Sequence, residues 1–217
     1  MGRSIVLDRR TTPHGELLLR RVDDAFELIA NGVFLMDSRD GRSERELVRQ
    51  ALPGGSPAEV LIGGLGFGFS AAEALSRSDV RAVTVVEIEE SIVDWAGTAL
   101  RPVSGLDLDD PRLEVVVDDF ATYLTRMDEQ VDAICLDVDN GPDWLVHEAN
   151  AHLYTREGLG ELRAHLQPGG RLTVWSHAPA AGLLADLEAY FGDAHAVEVP
   201  RRDLPPDVVY VATCHPS

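Results

Sequence analysis

Four short segments carry the residue types that could do chemistry, and each directly follows an apolar run. The first is Gly63-Gly64-Leu65-Gly66-Phe67-Gly68, after Val60-Leu61-Ile62. Glycines at this density let the backbone turn sharply and let a ligand approach main-chain N–H groups. A helix starting just after them adds its positive end. The second is Glu87, which closes Thr84-Val85-Val86 about twenty residues beyond the loop. An acid at such a strand end can accept hydrogen bonds from both hydroxyls of a ribose. The third is Asp118-Asp119-Phe120. A carboxylate there can accept from an adenine amino group, and either Asp can instead cap the helix that follows; the two roles can coexist on different residues. The fourth is Asp137-Val138-Asp139-Asn140-Gly141-Pro142. Clustered carboxylates can hold a cation, or raise one another's pKa and serve as a base, and the same residues can build an Asx-rich turn. Asp137 continues its strand directly, which favours a functional role.

The seven histidines form no convincing metal set. His147 and His152 are five apart, off a shared helix face, and no metal is expected. Trp144 and Trp175 could close over a ligand and His177 could line a cleft, but packing or surface roles suit them better.

The elements that position these segments alternate from residue 58 onward. Strands are expected over 59–62, 82–87, 113–117, 131–137 and 171–175. Helices are expected over 70–76, 90–100, 120–127, 156–166 and 181–191, with Pro168-Gly169-Gly170 stopping the fourth. Two final strands, 195–199 and 208–213, join through Pro205-Pro206. Apolar strands separated by helices imply a mostly parallel sheet covered on both faces, and the final pair implies an antiparallel edge strand. This is an α/β fold of the Rossmann-like, methyltransferase type, in which ligands bind beyond the carboxyl ends of the strands.

Upstream, alternating segments at 15–22, 25–30 and 33–36 are separated by Asp23-Asp24 and Asn31-Gly32, which suit hairpins. They predict a small antiparallel β-unit. A helix over 43–52 follows, with Ser43 as N-cap and Glu46 completing a capping box. Pro53-Gly54-Gly55-Ser56-Pro57 then makes a linker. Two units are expected: a β-hairpin unit plus helix over 1–55, and a nucleoside-binding domain over 56–217.

Bulk composition narrows the function classes. With 217 residues and 45% hydrophobic content, the chain can build one well-buried core. A formal net charge of −18 repels a phosphate backbone, so no nucleic acid partner is expected. The same charge attracts cationic small molecules, although solubility alone also accounts for it. No apolar run approaches the ~20 residues of a membrane span, and the first residues lack the pattern of a signal peptide. Cys135 and Cys214 form no metal or redox pair. A cytoplasmic protein without a membrane partner is expected.

The four segments, in this order, resemble the spermidine synthase family of polyamine aminopropyltransferases. The likeness covers roughly 58–175. Residues 60–68 look like the family's Gly-rich loop, with Ile62 two residues ahead of Gly64, the first glycine of the GxGxG pattern, where most methyltransferases place an acid. Val85-Val86-Glu87-Ile88 looks like its ribose-binding strand end, and Val117-Asp118-Asp119-Phe120 like its adenine-side motif. Leu153-Tyr154-Thr155-Arg156-Glu157-Gly158-Leu159, running on to Pro168-Gly169-Gly170, follows a family helix and its stop. The resemblance implies that Gly63, Gly64, Gly66, Gly68, Glu87, Asp118 and Asp119 bind decarboxylated S-adenosylmethionine, or S-adenosylmethionine. It further implies that Asp137, with Asp139 beside it, acts on a small-molecule amine acceptor, and it allows a homodimer through the β-unit. The sequence departs from the family at the acceptor side. The family's loop contains an Asp, whereas here Leu65 and Phe67 flank Gly66; Asn140 falls near the second catalytic Asp, and Leu159 corresponds to a Tyr that helps place the amine. Aminopropyl transfer is therefore the first reading. Methyl transfer from S-adenosylmethionine and a non-catalytic binding module are the alternatives.

Overall fold

The computed structural model describes residues 3–202 and 204–215. Alternation in the first forty residues folds them into an antiparallel sheet of β1 (Ser4–Thr12), β2 (Gly15–Val22), β3 (Ala25–Ala30) and β4 (Val33–Asp37), in that spatial order. Asn31 and Gly32, at φ 51° and 79°, make the β3–β4 turn, where positive φ at both central residues matches the twist of the flanking strands. β1 is an additional edge strand beyond the three expected.

Helix α1 (Arg42–Ala51) corrects the expected capping box. Its N-cap is Gly41, and Ser43 lies inside the first turn, where its hydroxyl donates to Glu44 Oε2 at 2.9 Å. The helix starts early because Asp40 Oδ1 accepts from the Arg42 amide at 3.1 Å. A side-chain cap is worth about 1 kcal/mol, whereas burying Leu47 and Val48 contributes about 2 kcal/mol each, so packing outweighs the missing cap. The buried face of α1 packs on α2 (Phe69–Leu75), β9 (Leu166–Ser176) and β11 (Leu204–Thr213) of the larger sheet.

That larger sheet also contains β5 (Ala58–Gly63), β6 (Val80–Glu87), β7 (Leu113–Val117), β8 (Val131–Leu136) and β10 (Ala194–Arg201). Its order is β10-β11-β9-β8-β5-β6-β7. β5 to β9 run parallel, and β11 is antiparallel to both β9 and β10. The reversed strand is thus the C-terminal one, as expected, but it lies one place in from the edge, which β10 occupies. Helices α3 (Glu90–Gly97), α4 (Arg101–Ser104), α5 (Phe120–Leu124), α6 (Arg156–Ala164) and α7 (Ala181–Phe191) complete the layers, with a 3₁₀ segment at Glu148–Tyr154. Pro168-Gly169-Gly170 corrects another expectation: α6 ends earlier and these residues belong to β9. Gly169, at φ +86°, donates its amide to the Cys214 carbonyl at 2.6 Å, and Gly170 accepts from the Cys214 amide at 2.8 Å, so these residues pair with the C-terminal segment through a left-handed glycine.

Period-two alternation divides the core. Val60 and Ile62 of β5 and Ala133 and Cys135 of β8 face one layer with α1 and Trp95; Leu61, Ile134 and Leu136 face the other, with Leu159 and Leu187. Among the described residues no helix is long and apolar enough to cross a membrane.

Candidate functional site

A cavity of ≈ 320 Å³ opens beyond the carboxyl ends of β5, β6, β7 and β8. The inner side of the small β-sheet, the start of α1 and the β10–β11 hairpin enclose it from the other side. Its position follows from the parallel order, which turns every strand end and the loop after it toward one edge of the sheet.

The glycine loop divides its residues by direction. Gly64 and Gly66 line the cavity, at φ +88° and +51°. A Cβ on Gly64 would overlap the Asp137 carbonyl oxygen, and one on Gly66 would come within 2.6 Å of Met36 Sδ. Leu65 and Phe67, 5% and 1% exposed, turn into the core and anchor the loop. Gly63 and Gly68 serve the loop from outside the wall. A Cβ on Gly63 would meet Phe120 and Val138, and Gly68 is the left-handed N-cap of α2.

Glu87 is buried against the loop. Its Oε2 accepts from the Leu65 amide at 2.8 Å and its Oε1 from the Glu89 amide at 2.9 Å. Burial raises its pKa against those bonds. Both residues of the next pair line the cavity, with different local roles. Asp119 caps α5, its Oδ1 accepting from the Thr122 amide at 2.7 Å. Asp118 accepts from the Asp119 amide at 2.9 Å and pairs with Arg126. The cap thus falls on Asp119, while Asp118 is held by Arg126.

Past β8, Asp137 Oδ2 accepts from Ser70 Oγ at 3.0 Å. Burial, opposed by that bond and aided by the charges of Asp207 and Glu87, pushes its carboxyl up to about 6. Asp139, 8% exposed, accepts through Oδ1 from the amides of Val146 (2.7 Å) and His147 (3.2 Å). Its Oδ2 has no hydrogen-bond partner among the described residues. Burial raises its pKa as well. Asn140 lines the wall, and its carbonyl accepts from the His177 amide at 3.1 Å. Leu159 is buried in the core and does not reach the cavity.

Sequence reasoning missed five of the acids on the wall, Asp37, Asp40, Glu44, Glu89 and Asp207. Glu44, in the first turn of α1, and Asp207, at the start of the buried part of β11, both enter the cavity. Glu44 lies on the same helical stripe as Leu47, Val48 and Ala51, and an acid on an apolar stripe is the signal that could have found it. Trp144, Trp175 and His177 also line the wall, with Trp144 edge-on to His177 at 5.0 Å between ring centroids. In all, ten Asp and Glu side chains line the cavity against two arginines, and both arginines are engaged, Arg42 with Asp40 and Arg201 with Asp207. No group of three or more His, Cys, Asp or Glu among the described residues could hold a metal ion.

A mostly parallel seven-stranded sheet in this order, with a glycine turn after β5 and an acid closing β6, places the chain in the Rossmann-like, methyltransferase-type class. Within that class it belongs to the spermine/spermidine synthase domain family, whose model matches residues 41–181, more than half of the chain. Polyamine aminopropyltransferase 1 of Streptomyces coelicolor is 36% identical over 178 residues, covering 81% of this chain and 31% of that protein. Polyamine aminopropyltransferase 2 of Pseudomonas aeruginosa is 34% identical over 151 residues, covering 64% and 41%. The chain thus spans about a third to two fifths of the length of these relatives. A spermidine synthase solved with the transition-state analogue AdoDATO shares the fold at TM-score 0.83 and 18% identity, over 96% of this chain and 73% of that one. The spermidine synthase of Thermotoga maritima superposes at TM-score 0.79 and 17% identity, over 96% and 72%.

Proposed function

We propose that the chain transfers an aminopropyl group from decarboxylated S-adenosylmethionine to a small amine and releases methylthioadenosine. The observation that carries this reading is the packing of the Asp137 backbone against Gly64, which sets a half-buried carboxylate beside the glycine loop in an acidic cavity. The donor supplies a carbon activated by the adjacent sulfonium, so the protein has mainly to position and desolvate. In this reading Gly64 and Gly66 border the nucleoside, with Gly63 and Gly68 shaping their turn. Glu87 accepts from the ribose hydroxyls, and Asp118 and Asp119 lie on the adenine side. Asp137 orients the acceptor nitrogen and takes its proton, with Asp139 close by. As the N–C bond forms, the C–S bond breaks and its electron pair stays on sulfur.

Methyl transfer is the second reading, favoured by Leu65 and Phe67, which bring no acid to the loop. The wall opposes it. A cofactor that keeps its carboxylate would place a further negative charge among ten acids, where Arg42 and Arg201 are already paired. Under the proposed reading, Asp137→Asn should lower turnover by about 10²–10⁴-fold while methylthioadenosine affinity stays within a few-fold. Unchanged turnover would remove Asp137 from the reaction.

A further inference from the structure

Asn140 stands near the place of the second acid of the loop after β8, and Asp139 beside it is held by the amides of Val146 and His147, yet a carboxylate from a distant part of the chain reaches the same wall. Glu44 is 7% exposed, and its Oε2 meets only the Ser43 hydroxyl at 2.9 Å. Ser70 sets the Asp137 carboxylate against the backbone of Glu44. Its hydroxyl lies 3.0 Å from Asp137 Oδ2 and 3.3 Å from the Glu44 carbonyl oxygen, and its single proton serves the closer, charged partner. The other charged groups around the pair are Asp207 on β11, Arg201 on β10, Asp40 and Arg42 at the start of α1, and Glu87 on β6. Arg42 and Arg201 are held by Asp40 and Asp207, so neither arginine of the described wall is left to the pair, and His147 and His177 stand nearer Asp139 and Asn140. A separate feature of the cavity points to a ligand: Oδ2 of buried Asp139 makes no hydrogen bond of normal geometry among the described residues, and only the Asn150 side chain stands by that carboxylate on the wall.

We propose that Glu44 and Asp137 form the ammonium-binding pair of the acceptor site, sharing one proton when no amine is present and releasing it to solvent when an alkylammonium enters. The inference rests on the aminopropyl-transfer reading. Two carboxylates largely withdrawn from water on one cavity wall do not both ionise at neutral pH. Burial and the charge of Asp137 push Glu44 up to about 8, while Asp137 stands at about 6, so near pH 7 the pair keeps one proton. An ammonium brings its own positive charge and N–H donors, which makes that proton unnecessary. One of those donors meets Asp139 Oδ2. Glu44 therefore replaces, from α1, the acid that Asn140 withdraws, and the site selects cationic primary amines over neutral or hydroxylic acceptors.

The test is calorimetric titration of the full chain, saturated with methylthioadenosine, with 1,4-diaminobutane at pH 7 in buffers of different ionisation enthalpy. The wild type should release about one proton per amine bound, falling toward zero by about pH 9 as Glu44 ionises unaided. Glu44→Gln should release none and bind the amine at least about tenfold more weakly, with unchanged methylthioadenosine affinity reporting an intact fold. Asp139→Asn should keep the proton release and lose only affinity. Amine binding without proton release by the wild type, equal release by Glu44→Gln, or no amine binding at all overturns the pair. The wild-type pH series alone decides the matter should Glu44→Gln not fold. Proton release without turnover of any amine would leave the pair standing and remove the transfer reaction; turnover without proton release would do the reverse.

Discussion

At the scale of single residues, the account turns on carboxylates held in the wrong ionisation state for water. Asp137 must be ionised to take a proton, and its carboxyl is raised to about 6. The kcat/KM for the amine should therefore fall at least tenfold per pH unit below about 6, measured across pH at subsaturating amine. A rate that stays level down to pH 4.5 would contradict that role. Glu44 bears on stability. Its ordinary value is 4.5 and its folded value about 8, so between these the folded chain binds more protons than the unfolded chain. The stability linked to Glu44 is fully present below about pH 4.5 and is lost as pH rises through about 8. Melting of the ligand-free protein should show Tm declining from pH 5.5 to 8.5, and Glu44→Gln should reduce that decline and raise Tm at pH 8.5. Equal slopes for the two proteins would place Glu44 in contact with water.

At the scale of elements, the loop and the caps hold these side chains in place. Gly64→Ala would force a Cβ into the Asp137 carbonyl at a φ of +88°, which costs roughly 1–3 kcal/mol and separates the loop from the β8 end. Urea unfolding should show that loss, and methylthioadenosine affinity should fall with it. Asp119→Ala should cost about 1 kcal/mol by removing the α5 cap, read in the same unfolding experiment. Much of this layer was legible in the sequence. α7 over 181–191 and β7 over 113–117 match the expected bounds, because helical periodicity and apolar runs bounded by turn residues are local signals. Local signals also misled where a distant partner decided the outcome. The Ser43–Glu46 spacing imitates a capping box, but Asp40 and the burial of Leu47 and Val48 set the start of α1. Pro168-Gly169-Gly170 imitates a helix stop, but pairing with Cys214 makes it strand. β1 escaped notice because an exposed edge strand alternates weakly.

At the scale of the whole molecule, residues 44, 137 and 207 meet in one cavity, and no spacing rule on a single sequence relates them. The glycine loop, Glu87, Asp118 and Asp137 were visible because each sits at a strand end that the parallel order turns to the same edge. Glu44 and Asp207 come from a helix and a terminal hairpin whose approach is tertiary. The net charge of −18 now has a local expression in the acidic wall, and it should steer cationic acceptors. The kcat/KM for a diamine should fall several-fold between 50 and 300 mM salt, as screening shortens to about 6–8 Å. A flat dependence would leave the charge to solubility alone. The central claim is the transferred group, and the direct measurement is mass spectrometry of the products formed from decarboxylated S-adenosylmethionine with a panel of primary diamines. The account predicts methylthioadenosine and an aminopropylated amine in equal amounts. A methylated amine and S-adenosylhomocysteine formed only from S-adenosylmethionine, or no product from either donor, would contradict it.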